Sequence, residues 1–348
     1  MLRSDLRTVL AALLLALPGL GAGAAARAAA FPLQVLRRVP LAAPGTPRAL
    51  AFAPDGGRAY LAVGRAIVAY DAARAAPLGR LELPGRAVDL AIAAGGDRAY
   101  AALRDPAAIA VLSLQPLRVL RTWRLPVVPS ALLAGADGHA LYVGSAAAGR
   151  VLELDAASGR SLGSVPLGGQ LQQMVANGYG HLFVAVADRD VVDVLDTPTL
   201  RLAGTFPVPC PAPTGLALDP VGRRLFVSCA GGGVAVIDTD IGYTFQQLPA
   251  AAGSARGLFV FHPQGSAGWK GAAFFAGARG VLSAVRMLAF IRYADGGVLP
   301  LPAGSEVLAF DPARDRLWVA LPKSVSAAGA AAGTLLILGT ASAPGVAP

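Results

Sequence analysis

Asparagine occurs once in the 348-residue chain, at Asn177, lysine twice, at Lys270 and Lys323, and cysteine twice, at Cys210 and Cys229. Two cysteines, with no Cys-x-x-Cys-His run, exclude c-type haem attachment and a cysteine-built structural zinc site. Charged residues make up only 15% of the chain and are scattered, so no basic groove for nucleic acid is expected despite a net charge of +9. The near-absence of lysine, beside heavy use of Arg and Ala, reads as compositional bias and carries no functional argument. No segment holds a sustained 3.6-residue apolar period, so long amphipathic helices are not expected. G-x-S-x-G and a P-loop lysine in its glycine frame are both missing, which removes the commonest hydrolase and nucleotide-binding signatures.

What is present is a large apolar fraction, 55%, punctuated by 42 Gly and 27 Pro. Short strands separated by tight turns have this composition. The stretch Thr214–Asp240 shows the unit: Leu216–Leu218, a Pro-Val-Gly turn, Leu225–Val227, a run of three glycines, then Val234–Ile237. Each apolar run is too short for a helix and is bounded by turn formers, which predicts an antiparallel meander.

The meander repeats. An aromatic residue of the second strand recurs at Tyr60, Tyr100, Tyr142, Phe183, Phe226, Phe275 and Trp318, at intervals of 40, 42, 41, 43, 49 and 43. A second marker ends the third strand at Asp71, Ser113, Asp155, Asp196 and Asp238. A period of 40–45 residues with four strands per unit is that of a β-propeller blade. The reading is therefore all-β, a seven-bladed propeller of four-stranded antiparallel blades. The blade limits are 46–85, 86–128, 129–169, 170–211, 212–253, 254–304 and 305–340. Blade seven lacks a fourth strand of its own, and Leu33–Val39 lacks a partner near the chain start. The N-terminal strand is expected to complete blade seven and close the ring, since open edges would otherwise remain. Blade six is irregular, with a long loop over His262–Lys270 and a Leu282–Tyr293 segment expected to accommodate a helical turn.

Residues 1–30 read as a secretory signal peptide: Arg3 and Arg7, an apolar run Val9–Leu17, Pro18, then small residues. Ala28–Ala30 and Ala24–Ala26 are alternative cleavage sites. The run is shorter than the roughly 20 residues that a spanning helix needs. No later segment reads as a span. Cleavage after Ala30 leaves a net charge of +7 and a periplasmic or secreted protein. Residues 341–348 read as a disordered Pro- and Gly-bearing tail.

The segments PDGGRAYLAVG (54–64), GHALYVGS (138–145) and GVAVIDTDIG (233–242) resemble the YVTN-type, WD-repeat-like β-propeller repeat of exported bacterial proteins. The resemblance covers nearly all of the chain after residue 30. It departs at Ser113 and at Gly339, where the repeat has Asp, and in the overlong blade six. It implies a scaffold or accessory role in binding, not an activity. Propeller lactonases of the gluconolactonase type have a similar fold but build a calcium site from Asn, Asp and Glu oxygens. The single Asn177 and sparse acidic residues make that hydrolase the second reading. Quinoprotein propellers carry a docking Trp that is missing after Asp155–Gly159, so no cofactor is expected.

Loop positions sort the polar residues onto two faces. The turns between first and second strands carry Arg58, Arg98, His139, His181, Arg223, Arg224, Lys270 and Arg316, a ring of solvated basic positions. The opposite face collects Arg48, Arg65, Arg86, Arg104, Gln172, Arg189, Arg256, Glu306 and Lys323 around the mouth of the central channel. Ring mouths are common binding locations, and arginine grips carboxylates bidentately. A protein partner or an anionic ligand is expected there, on a monomer, and Arg104, Arg189 and Arg256 are the expected contacts. Cys210 and Cys229 fall on this face too and are expected to form a disulfide in an exported chain.

Overall fold

A computed structural model describes residues 31–261, 270–323, 325–326, 329–330 and 333–340. The expected leader (1–30), the blade-six loop residues 262–269 and the expected tail (341–348) lie outside the described residues. Seven four-stranded antiparallel sheets succeed one another around a central axis. The innermost strands are Pro47–Phe52, Arg86–Ile92, Ala131–Ala134, Leu171–Ala176, Pro213–Asp219, Ser254–Phe261 and Val307–Asp311. Each packs on its neighbours, and the last packs on the first.

The ring is closed by strand exchange. The last blade is built from Val307–Asp311, Arg316–Leu321 and Thr334–Gly339, with Gln34–Pro40 as its outermost strand. Gln34 stands opposite Gly339 and Pro40 opposite Thr334 in this antiparallel pair. Val39 and Leu41 enter the apolar layer between blades seven and one, and Leu33 enters the layer between blades six and seven.

The core is not central. It is divided into seven apolar layers, each between two neighbouring blades. The repeating aromatic of the second strand is buried in all seven blades. Its ring faces the next blade in six of them; in blade six Phe275 faces blade five, and the adjoining Phe274 fills the layer to blade seven. The Tyr100 hydroxyl donates to the Ala156 carbonyl at 2.7 Å, and Tyr60 reaches the Leu114 carbonyl. Trp318 of blade seven sits edge-on to Phe52 and Tyr70 of blade one. Burial pushes the Tyr142 hydroxyl up to about 12, with Glu153 adding to the shift.

The second marker has a local role. Each Asp that ends a third strand accepts backbone N–H groups of the turn into the outer strand: Asp71 from Arg74 at 2.7 Å, Asp155 from Ser158 at 2.7 Å, Asp238 from Asp240 at 2.9 Å. This is the side-chain-to-backbone staple that Asp makes in turns. These bonds hold Asp71 and Asp155 below the ordinary carboxylate range, the Arg74 N–H leading at Asp71 and the Ser158 hydroxyl at Asp155. Gly339 now has a physical reason. The outer strand of blade seven is Gln34–Pro40, so blade seven needs no turn from third to outer strand for a carboxylate to staple.

The helical turn expected within Leu282–Tyr293 is not formed. Val281–Ala289 and Arg292–Pro300 are nine-residue strands joined at Phe290 and Ile291. The first of them is buried on both faces through most of its length, and a strand so placed reads as a continuous apolar run. The single helical segment among the described residues is a 3-10 turn at Ala187–Arg189.

Cys210, in the connection from blade four to blade five, is disulfide-bonded to Cys229 at the end of a second strand, with Cα atoms 6.0 Å apart. The bridge ties the entry of blade five to its own sheet.

Removing residues 31–41 takes away the closing strand and side chains from two apolar layers. Thermal unfolding should then shift down by on the order of 10 °C or more, and an unchanged melting curve would contradict ring closure. Replacing both cysteines by serine should lower stability by about 3 kcal/mol in the chain-entropy account of disulfides. Chemical unfolding of the variant beside the oxidised parent measures it.

Candidate binding site at the channel mouth

Inner strands all run in the same sense, so their first residues gather at one end of the axis. A cavity of about 650 Å3 opens there. Leu90, Leu132, Met174, Leu216 and Leu258 supply apolar wall, and Arg48, Arg86, Arg104, Gln172, Arg256 and Glu306 supply polar groups. The structure thus brings together six of the nine expected mouth residues. Arg65, Arg189 and Lys323 do not line this cavity.

Two expected contacts are internal struts. Arg189 donates to the Leu167 carbonyl at 2.6 Å and to Asp193 at 2.9 Å. The Asp193 side chain is fully buried and also accepts from Thr205 at 2.7 Å. Arg256 pairs with Asp89 at 3.1 Å, which joins blade six to blade two across the channel. Asp89 accepts the Leu90 and Leu132 N–H groups as well, each at 2.9 Å. A buried carboxylate that loses its cation is left uncompensated, so these arginines are committed to the fold. Arg65 is partly committed too, donating to the Pro84 carbonyl at 2.8 Å.

Gln172 lines the cavity, but its neighbour Gln173 does the structural work. The Gln173 side-chain oxygen accepts Leu216 N–H at 2.9 Å and Gly257 N–H at 2.7 Å, and its amide donates to the Gly257 carbonyl at 2.8 Å. One amide thereby connects blades four, five and six. Asp89 and Gln173 were not among the residues singled out from sequence. The available signal for Asp89 was a lone carboxylate inside the otherwise apolar strand Arg86–Ile92, a residue type rarely buried without a partner.

What remains unpaired at the mouth is mainly cationic, with Glu306 as its one carboxylate among the described residues. Arg48, Arg86 and Arg104 are exposed and hold no ion-pair or hydrogen-bond partner among the described residues. Arg86 and Arg104 are direct partners in the ladder of blade two. Arg48 begins the adjoining inner strand of blade one. Like charges set opposite one another in a sheet repel, and an anion between them relieves the repulsion.

On the opposite face the basic positions divide. Arg223 is exposed beside Asp240. Arg224 is not a solvated turn residue: it is buried, pairs with Asp238 at 2.8 Å and lies 4.2 Å from the centre of the Phe245 ring. It begins a strand whose alternation turns it inward while Arg223 stays in the turn. Among the described residues no group of three or more His, Cys, Asp or Glu side chains is arranged to hold a metal ion.

No family model and no curated protein matches this sequence. Solved structures do. The structure of U3-55K superposes with a TM-score of 0.71 at 13% identity, covering 89% of this chain and 99% of that one. The crystal structure of the RRP9 WD40 repeats gives 0.72 at 14% identity, covering 90% and 99%. At such identity the likeness is one of fold: this chain is a seven-bladed β-propeller with WD40-like structural neighbours.

Proposed function

We propose that this chain is an exported, non-catalytic binding propeller that acts as a monomeric accessory factor, in the periplasm or outside the cell. It holds a protein partner at the channel mouth. The observation that carries the reading is the group of three unpaired arginines, Arg48, Arg86 and Arg104, on adjoining strands above a cavity of about 650 Å3. Guanidinium groups so placed suit carboxylate side chains of a partner's surface. Closed rings of this fold present loops on a rigid frame, and WD40-like neighbours are consistent with a scaffold. Export rests on the leader expected at residues 1–30.

The lactonase-like alternative needs free oxygen ligands on the axis. The carboxylates lining the mouth among the described residues are Asp89 and Glu306. Both Asp89 oxygens are taken by backbone N–H groups and one also by Arg256, which leaves Glu306. Too few oxygens remain for a calcium site of that kind.

The variant that tests the mouth is Arg48→Glu, Arg86→Glu, Arg104→Glu, since Arg189 and Arg256 brace the ring. Wild-type chain used as bait in the exported fraction of its own organism should retain a dominant partner at low salt and release it at high salt. The triple variant should lose that partner while melting as the parent does. Retention of the same partner by the variant would remove the proposal.

A further inference from the structure

In blades one to five the turn from first to second strand and the turn from third to outer strand lie at the same end, hydrogen-bonded to each other. Ala72 N–H bonds to Gly57, Ala156 to His139, Thr197 to Gly180 and Thr239 to Arg223. This end is the face opposite the channel mouth. In blades one, two and three the first-to-second turns are tipped by Asp55, Asp97 and Asp137 with glycine. Blades four, five and six differ. The first-to-second turns of blades four and five carry Tyr179 and Val221, and the third-to-outer turns of blades five and six carry Ile241, Tyr243, Phe290 and Ile291; all six are 59–81% exposed. The repeat does not demand this, because Val221 stands where blades one and three have Asp55 and Asp137 and blade two has Gly95.

The blades that carry these tips adjoin one another. Phe206 of blade four packs its ring against Gly242, the αL glycine between Ile241 and Tyr243. Tyr293 of blade six meets Phe226 of blade five edge-on, and its hydroxyl donates to the carbonyl of Phe290. Arg201, Lys270 and Arg292 flank the group and are exposed. Its acidic residues are Asp196, which accepts the Thr199 N–H, Asp238 and Asp240, which pair with Arg224 and Arg223, and the buried Asp219.

The geometry points to a peripheral membrane-docking face: the turn tips of blades four to six enter the interfacial layer of an anionic lipid bilayer. Three features favour lipid over protein. The apolar groups stand on convex turn tips, and such tips pass between headgroups. Tyr, Phe and Ile at the tips with basic residues behind them match the order of chemistry met on entering a bilayer, apolar inward and cationic at the phosphates. The chain is strongly basic, which attracts an anionic leaflet. No helix among the described residues is long and apolar enough to cross a membrane, so this is contact with a surface. The channel mouth then faces away from the membrane, and the two faces act independently.

Co-sedimentation with vesicles tests the assignment. The chain from Phe31 onward is used, because the apolar run before it would partition by itself. Vesicles of phosphatidylcholine alone are compared with vesicles containing phosphatidylglycerol. The chain should bind the anionic vesicles, and Ile241→Ser, Phe290→Ser, Ile291→Ser should weaken binding by on the order of tenfold for each side chain removed. The comparison variant Leu78→Ser, Leu120→Ser, which removes exposed leucines of outer strands without changing the charge, should bind as the parent does. Melting curves keep unfolding apart from loss of binding, and Tyr179→Ser, Val221→Ser serves should the first variant fail to fold. Failure of the parent to bind, or equal binding by the tip variants, overturns the assignment. Lipid-free self-association that the tip variants abolish overturns it too, giving the patch to a second copy.

Discussion

Every blade of this ring buries its two faces against two neighbours, and that shared burial is what the structure depends on. Seven apolar layers hold nearly all of the core, and no layer belongs to a single blade. A terminal blade without a neighbour would expose the whole of one face, so the array is stable as a circle. The pairing of Gln34–Pro40 with Thr334–Gly339 makes the circle covalently discontinuous but structurally complete. Its stabilisation is shared by the outermost sheet and by two layers, which is why seven residues at one end of the chain govern the whole.

The ring then fixes what each end presents. At the mouth, Asp89 with Arg256 and Gln173 with the backbone of blades five and six tie opposite sides of the channel together. These struts consume the polar groups of the deeper wall. Arg48, Arg86 and Arg104 are left outside them, held in place by strands of blades one and two. The other end carries apolar tips on the adjacent blades four, five and six. A symmetric repeat has thus diverged in two separate sectors, one cationic and one apolar.

The fold was legible in the sequence because two markers repeat for independent physical reasons. Tyr60, Tyr100 and their equivalents fill the layer to the next blade, with Phe274 rather than Phe275 in that place in blade six, while Asp71, Asp155 and Asp238 staple the following turn. Even the departure at Gly339 follows from the closing strand. The site was legible only in outline. Loop positions placed Arg48, Arg86 and Arg104 correctly, because chain order alone decides at which end of a strand a residue lies. They did not separate Arg104 from Arg189 and Arg256: Asp89 meets Arg256 only across the channel, and Asp193 reaches Arg189 through the turn that opens its strand. Gln172 was singled out over Gln173, and Arg224 was grouped with Arg223. Gln172 and Gln173 lie within a β-bulge of their strand, where the alternation of faces breaks, and Arg223 and Arg224 stand on either side of the boundary between turn and strand. Blade six misled for another reason: an apolar run without alternation fits a doubly buried strand as well as a helix.

The most direct measurement of the central claim is arginine-selective modification with phenylglyoxal, mapped by mass spectrometry on the free chain and on the chain bound to its captured partner. Arg48, Arg86 and Arg104 should react fast in the free chain and be protected in the complex, while Arg224 and Arg256 react slowly in both. Slow reaction of the three mouth arginines in the free chain, or reaction undiminished by the partner, would contradict the account.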